Sequence, residues 1–249
     1  MNSDKNKVED EHADRIRTIL KGKIPKHVAV IMDGNGRWAK SRNKNRIEGH
    51  KEGTVSARQM IENCLKLGIR YLTLYTFSSE NWKRPVLEVN KLMEMLYENL
   101  INQRDLLIDN RVKLMILGDR SKLPKKLRVE IEKVEKLSEN FSNIQVNLAL
   151  SYGSRTEIVD AVKGIIRDEV GIRKIDEKLV GRYLYTRDIP DPDLVIRTSG
   201  EYRISNFLLY QIAYAELYFT EIYWPDFRMS QLLDALAEFQ NRTRRYGAL

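Results

Sequence analysis

The chain has 249 residues, 42% of them hydrophobic, and 43 Lys and Arg against 35 Asp and Glu give a formal charge of +8. That is enough chain for one large domain or two small ones, and the basic balance fits phosphates, nucleic acid or an acidic membrane surface as well as it fits general solubility. One cysteine, Cys64, excludes an internal disulfide and a cysteine metal cluster, and no apolar run approaches the roughly 20 residues of a membrane span. The charged start has no apolar signal core, so the expectation is a soluble cytoplasmic protein, with room for peripheral contact with a membrane.

Residues 1–22 are highly charged, with apolar positions at Val8, Ile16, Ile19 and Leu20, and predict a loosely attached helical extension ahead of a domain over 23–249. His27 to Ile31 is an apolar, β-branched run and predicts a buried strand. It stops at Asp33, and Gly34, Asn35, Gly36, Arg37 and Trp38 follow. Glycines let a backbone turn sharply and bring N–H groups near a ligand, and successive N–H groups make an anion site. Arg37 adds a fork of donors suited to phosphate, and Asp33 a hard oxygen of the kind Mg²⁺ prefers. The same residues fit the dinucleotide pattern G-x-G-x-x-G/A. That pattern needs a helix opening at the glycines and an acid at the tip of the next strand. Here a polar loop is expected through Arg46, and the next strand ends at Phe77-Ser78-Ser79, so a nicotinamide cofactor is disfavoured.

Val55, Ile61 and Leu65 predict a helix from Gly49 to Leu67, closed by Gly68. Tyr71 to Phe77 is a second strand, followed by a polar loop from Ser78 to Arg84. After Pro85 one long helix is expected to about Asn110, its wide apolar stripe either ordinary core or the lining of an apolar channel. Val112–Leu117 and Ile144–Leu150 are strands around a charged helix opened by Pro124. Ser154 and Glu157 have capping-box spacing, Asp176 starts a short helix, and Leu194–Ile196 is a fifth strand. A short helix at Asn206, a strand at Leu217–Phe219 and a last helix from about Ser230 complete the chain. About six strands alternating with helices predict a single α/β domain with a mostly parallel sheet. The loops with distinctive chemistry all follow strands, where such sheets bind ligands.

Three segments, Met32 to Ala39, Phe77 to Pro85 and Asp193 to Phe207, together with Gln211 to Leu217, resemble the cis-prenyltransferases, the undecaprenyl diphosphate synthase family. The resemblance runs from about His27 to Gly247. It implies a parallel-sheet α/β homodimer that is not of the Rossmann type. The implied reaction extends an allylic diphosphate with isopentenyl diphosphate units, with Mg²⁺ as cofactor. Asp33 matches the family's catalytic, metal-binding aspartate, and Glu216 a second metal-associated carboxylate donated across the dimer. Gly34, Asn35, Gly36, Arg37, Arg46 and His50 match contacts to the allylic diphosphate. Arg197, Arg203 and Ser205, with Ile204, match the isopentenyl diphosphate clamp. Asn81 matches the position associated with proton removal; a neutral amide is a poor base, so a positioning role is expected. Trp38, Ser78, Ser79, Glu80, Trp82 and Arg84 complete the substrate-binding set.

Taken alone, Trp38 and Trp82 read equally well as packed aromatics, and His50 as a polar residue at a helix start. Arg242, Arg244 and Arg245 read as a solvated helix end or a contact to anionic lipid. Ile47, Glu48, Ser154 and Thr156 depart from common bacterial members and leave the starter, farnesyl or geranylgeranyl diphosphate, open. A nucleic-acid binder is the competing class, but the arginines and aromatics gather at strand ends rather than along one surface, so nucleic acid is not expected as a partner. A non-catalytic partner subunit would lose motif residues, and this chain keeps Asp33, Arg37, Asn81, Arg197 and Arg203.

Overall fold

A computed structural model describes residues 12–242. Val8, Arg244, Arg245 and the first half of the predicted N-terminal extension lie outside the described residues; residues 12–20 are helical (α1). The other elements are β1 (His27–Ile31), α2 (Asn35–Ser41), α3 (Arg46–Lys66), β2 (Tyr71–Ser78), α4 (Val86–Asn102), α5 (Arg104–Asp109) and β3 (Val112–Leu117). Then come α6 (Lys125–Ser138), β4 (Ile144–Tyr152), α7 (Ser154–Arg167), α8 (Glu177–Tyr183), β5 (Leu194–Arg197), β6 (Glu216–Phe219) and α9 (Met229–Asn241). The strands form one six-stranded sheet in the order β3-β4-β2-β1-β5-β6. The described registers, β1 with β5, β5 with β6 and β3 with β4, are all parallel, as the alternation of strands and helices predicts.

The chain divides into two compact units. The first holds the residues up to Leu72, Pro192–Arg203 and those from Tyr214 onward. All five residues of β1 and all four of β5 are buried, as expected of central strands with both faces covered. Asp193 fixes where these strands start: its Oδ2 accepts from the backbone N–H groups of Lys26 (2.7 Å) and His27 (3.1 Å). Helix α3 begins at Arg46, earlier than expected, with a capping box between Asn45 and Glu48. It buries Gly49, Gly53, Ser56, Met60 and Cys64, whereas Val55 is exposed. Ile61, one of the residues that predicted the helix, is buried as expected, but most of the face is made of small residues that the hydrophobic pattern does not register. Ser56 donates to the carbonyl of Pro225 (3.2 Å), and Trp224 Nε1 to that of Gly53 (2.8 Å).

The second unit holds Thr73–Asp191 and Ile204–Ala213. It contains β3, β4, nearly all of β2, and α4 to α8. The long helix expected after Pro85 is two helices. Gln103, at φ −100° and ψ 8°, leaves the helical region and redirects the chain just after Asn102, a weaker helix former. Val89, Leu92, Met93 and Leu100 of α4 are buried, while Val86 and Leu87 are exposed. The capping box expected at Ser154 does not form. Gly153 is the cap residue, and Glu157 turns inward, where its carboxylate accepts from Tyr152 Oη, Gln211 Nε2 (3.1 Å) and Tyr185 N (2.9 Å). Burial raises the Glu157 carboxyl above its usual range, and burial and the neighbouring Glu157 charge raise the Tyr152 phenol. The helix expected at Asn206 is also absent: Ser205, Asn206 and Leu208 all have positive φ, so the segment is a run of turns.

Replacing Asp193 with alanine removes the acceptor of two backbone donors at the mouth of β1; Lys26 is exposed and can turn to water, so the cost falls mainly on the buried His27, about 1–3 kcal/mol. The thermal midpoint of Asp193→Ala should fall by several degrees in a calorimetric scan, and an unchanged midpoint would refute this account of the strand start.

Candidate active site

In the first unit the chemistry gathers where β1 and β5 end. Ile31 and Arg197 are register partners, so the residues that follow Ile31 emerge beside the Arg197 side chain. Gly34 has φ +105°, and an added Cβ there would crowd Ser199 Oγ (2.8 Å) and the Tyr223 ring (2.9 Å). That turn lets α2 start at once, with the Trp38 N–H on the Gly34 carbonyl (2.8 Å). The expected polar loop therefore contains a helix, which the sequence hid because only Trp38 and Ala39 of its residues are buried.

Asp33 is held from every side. Its Oδ1 accepts from Gly34 N (2.7 Å), and its Oδ2 pairs with Arg197 Nη2 (2.8 Å) and Arg37 Nη2 (3.2 Å). Thr198 Oγ1 accepts from Asp33 N (3.0 Å) and sits 2.7 Å from the Asp33 carbonyl, while Trp224 N donates to that carbonyl (3.0 Å). Arg197 is almost fully buried and also donates to the carbonyl of Arg203. Glu201 joins the remaining arginines, pairing with Arg37 Nη1 (3.1 Å) and with Arg203. Three guanidinium groups are thus gathered around two carboxylates. Ser199 Oγ and Asn35 Oδ1 are buried and have no hydrogen-bond partner. Arg46 lies against Gly36, and His50 is half-buried one turn further along α3.

Trp38 packs beneath this loop. It is 6% exposed, its Nε1 donates to Asp226 (2.8 Å), and Arg42 and Lys44 lie over its ring at 4.5 and 5.1 Å. Glu216 is not brought to Asp33 within the chain. It is in register with Leu194, three residues or roughly 10 Å along β5 from Arg197, and it pairs with Arg242 (3.0 Å). No group of three or more His, Cys, Asp or Glu among the described residues is arranged to hold a metal. A single aspartate beside an arginine cluster still fits Mg²⁺, which takes one or two carboxylates together with oxygens of a bound anion and water.

In the second unit a short 3₁₀ turn, Ser79–Lys83, carries the residues after β2. Asn81 Oδ1 accepts from Ser78 N (3.1 Å), which orients the amide and leaves its NH₂ group for a ligand. Trp82 stands edge-on to Phe77 at 5.0 Å and donates to Ser151 Oγ (2.9 Å), and Arg84 pairs with Glu88 (3.0 Å). Glu80 accepts from Asn206 Nδ2 (2.8 Å) and Ser79 Oγ (3.1 Å). Partial burial alone would raise the Glu80 carboxyl; the hydrogen bonds from Asn206, its own backbone, Ser78 and Ser79 outweigh it and hold the group below its usual range. Ser205 is anchored through its carbonyl to Tyr75 Oη (3.3 Å), and Ile204 precedes it in the same turn.

Residues 31–247 match the prenyltransferase family model described as "Putative undecaprenyl diphosphate synthase". The chain belongs to this family. It is 49% identical over 226 residues to the isoprenyl transferase of Fusobacterium nucleatum, covering 91% of this chain and 97% of that protein. It is 47% identical over 241 residues to a tritrans,polycis-undecaprenyl-diphosphate synthase (geranylgeranyl-diphosphate specific) of Pyrococcus horikoshii, covering 93% and 90%. Among solved structures it resembles lavandulyl diphosphate synthase from Lavandula x intermedia in complex with dimethylallyl diphosphate (TM-score 0.87, 36% identity, 90% and 98% coverage). It also resembles a probable undecaprenyl diphosphate synthase from Campylobacter jejuni (TM-score 0.77, 34% identity, 91% and 100% coverage). The enzyme is therefore a prenyltransferase of the cis type.

Thr198, Ser199, Glu201 and Asn206 were missed as site residues. A Thr-Ser-Gly following an arginine at a strand end, and a glutamate two residues before another arginine, were the signals available. The departures at Glu48 and Ser154 have local explanations: Glu48 completes the α3 cap, and Ser154 Oγ accepts from Leu209 N (2.9 Å). Inorganic pyrophosphate should bind the enzyme through the arginine cluster. Each charge-assisted hydrogen bond is worth about 1.5–3 kcal/mol. Arg37→Ala should therefore weaken pyrophosphate binding about tenfold or more in calorimetric titration, and equal affinity would show that Arg37 serves only the carboxylates of Asp33 and Glu201.

Proposed function

We propose that the enzyme extends an allylic diphosphate, farnesyl or geranylgeranyl, by repeated addition of isopentenyl diphosphate to a long-chain cis-polyprenyl diphosphate for a glycosyl carrier lipid. The observation that carries this reading is the set of Arg37, Arg197 and Arg203 drawn together around Asp33 and Glu201 at the ends of two strands.

In each cycle the allylic C–O bond breaks and its electron pair leaves with pyrophosphate. The isopentenyl double bond attacks the allylic carbon, and a proton is then lost from the isopentenyl unit. Arg37 and the N–H groups opening α2 take up charge on the departing pyrophosphate, fixed in place before it forms. Arg46 and His50 serve the same group. Arg197, Arg203, Ile204 and Ser205 bind the isopentenyl diphosphate. Asp33 would hold Mg²⁺, which when bound supplies a Lewis acid to the leaving group. Asn81, its oxygen engaged by Ser78 N, orients a phosphate oxygen or water as proton acceptor through its NH₂ rather than acting as the base. In this reading the protein is a cytoplasmic homodimer in which Glu216 acts from the second copy, and it meets a membrane when product leaves.

Starter and length are not common to the relatives, which include a geranylgeranyl-diphosphate-specific undecaprenyl-diphosphate synthase and a lavandulyl diphosphate synthase. The wall proposed to stop the growing chain comprises Thr76, Leu92, Met93, Leu96 and Leu148, of which Leu92 and Met93 are buried.

The test is incorporation of radiolabelled isopentenyl diphosphate with Mg²⁺ and geranyl, farnesyl or geranylgeranyl starters offered separately. The expected result is a ladder of products, abolished by chelation and lowered about a hundred- to a thousandfold in Asp33→Ala, on the order of one catalytic electrostatic contact. No incorporation with any starter would overturn the assignment in favour of a non-catalytic partner. Thr76→Phe should shorten the ladder at unchanged starter preference, whereas unaltered lengths would remove Thr76 from the wall.

A further inference from the structure

We propose that Asn206 is a positioning residue of the condensation, tying the turn that bears Asn81 and the turn that bears Ser205 to the start of α7. This rests on the roles assigned above to Asn81 and Ser205.

Asn206 sits in the left-handed region, at φ 63°, between Ser205 at 49° and Leu208 at 47°. Asparagine tolerates that region better than most residues. The conformation aims its polar atoms in three directions. Its carbonyl accepts from Ser154 N (2.9 Å) and its Oδ1 from Arg155 N (2.9 Å), which satisfies the first two N–H groups of α7. Its Nδ2 donates to Glu80 Oε1 (2.8 Å), next to Asn81 in the chain. The amide orientation is fixed by these partners, because a flip would set oxygen against carboxylate and NH₂ against N–H. Glu80 is held in turn by Ser79 Oγ. At Gly153 an added Cβ would strike Ser79 Oγ and come within 2.8 Å of Asn206 Nδ2, so three segments meet around one glycine. Tyr75 adds to the anchorage of the second turn: its ring stacks on Phe207 (4.5 Å) and its hydroxyl donates to Ser205 O. With its side-chain oxygen, NH₂ and carbonyl committed to protein, Asn206 acts through its neighbours.

Aspartate separates a positioning role from a merely structural one. Asn206→Asp keeps the acceptor for Arg155 N, and a carboxylate at a helix start is favourable, so folding is retained. It replaces the donor to Glu80 with a second negative charge and pushes the Asn81 turn away. Asn206→Asp should therefore lower kcat about tenfold or more, with the KM for the allylic starter changed less than about threefold. Adding Glu80→Gln restores the hydrogen bond with its direction reversed, and the double variant should recover at least fivefold of the lost kcat. Asn206→Ser, which keeps an acceptor but lacks the second donor, should fall between wild type and Asn206→Asp. Wild-type kcat in Asn206→Asp, or a double variant no better than the single one, would overturn the proposal. An inactive wild-type enzyme would instead count against the proposed reaction, which keeps the two failures distinct.

Discussion

Arg197 has almost no access to water, and an isolated guanidinium in that position would be prohibitively costly. Asp33, brought beside it by the parallel register of β1 and β5, supplies the opposing charge at 2.8 Å. Much of the first unit's chemistry depends on that pair. It sets the direction of the chain after Met32 and leaves the Gly34 turn one conformation. It also brings the second carboxylate contact, from Arg37, to the same oxygen. Buried ion pairs add little net stability compared with apolar packing, so the pair is better understood as fixing geometry than as strengthening the fold. The Asp33 side chain keeps 30% of its surface exposed, which suits an acid that also meets ligands.

The two units contribute different kinds of order. Around Asp33 the order is ionic, with carboxylates and guanidiniums holding one another at strand ends. Around Asn81 and Ser205 it comes mainly from hydrogen bonds between uncharged groups and from stacked rings, Trp82 to Ser151, Tyr75 on Phe207 and Asn206 to the α7 backbone, with the Glu80 carboxylate accepting from Asn206. The first suits binding charged groups and the second suits holding neutral side chains at defined angles. Salt weakens the former more than the latter.

Strands were the most legible part of the fold, because β-branched apolar runs ending at Gly, Asp or Ser carry their own boundaries. Helices were less so. In α3 the buried stripe is Gly49, Gly53, Ser56, Met60 and Cys64, and small residues do not register as hydrophobic. In α2 and in the turns at Asn206, tertiary partners rather than local propensity decide the backbone: Trp38 needs Asp226, and Asn206 needs Glu80 and the start of α7. The charged cluster was legible residue by residue because each member lies in a motif. The bridging position of Glu201 was not, since nothing in its flanking sequence states that Arg37 will lie beside it.

The left-handed residues of the Ser205 turn carry a further consequence. Three non-glycine residues with positive φ within four positions store on the order of 1 kcal/mol each. Such a segment keeps its shape only while its partners do. Helix α7, for its part, has two of its first N–H groups answered by Asn206, and Ser154 answers Leu209 N in return. The helix start and the turn therefore protect each other's amides. They form one cooperative unit of local opening, in which a fluctuation that frees one end of the contact frees both.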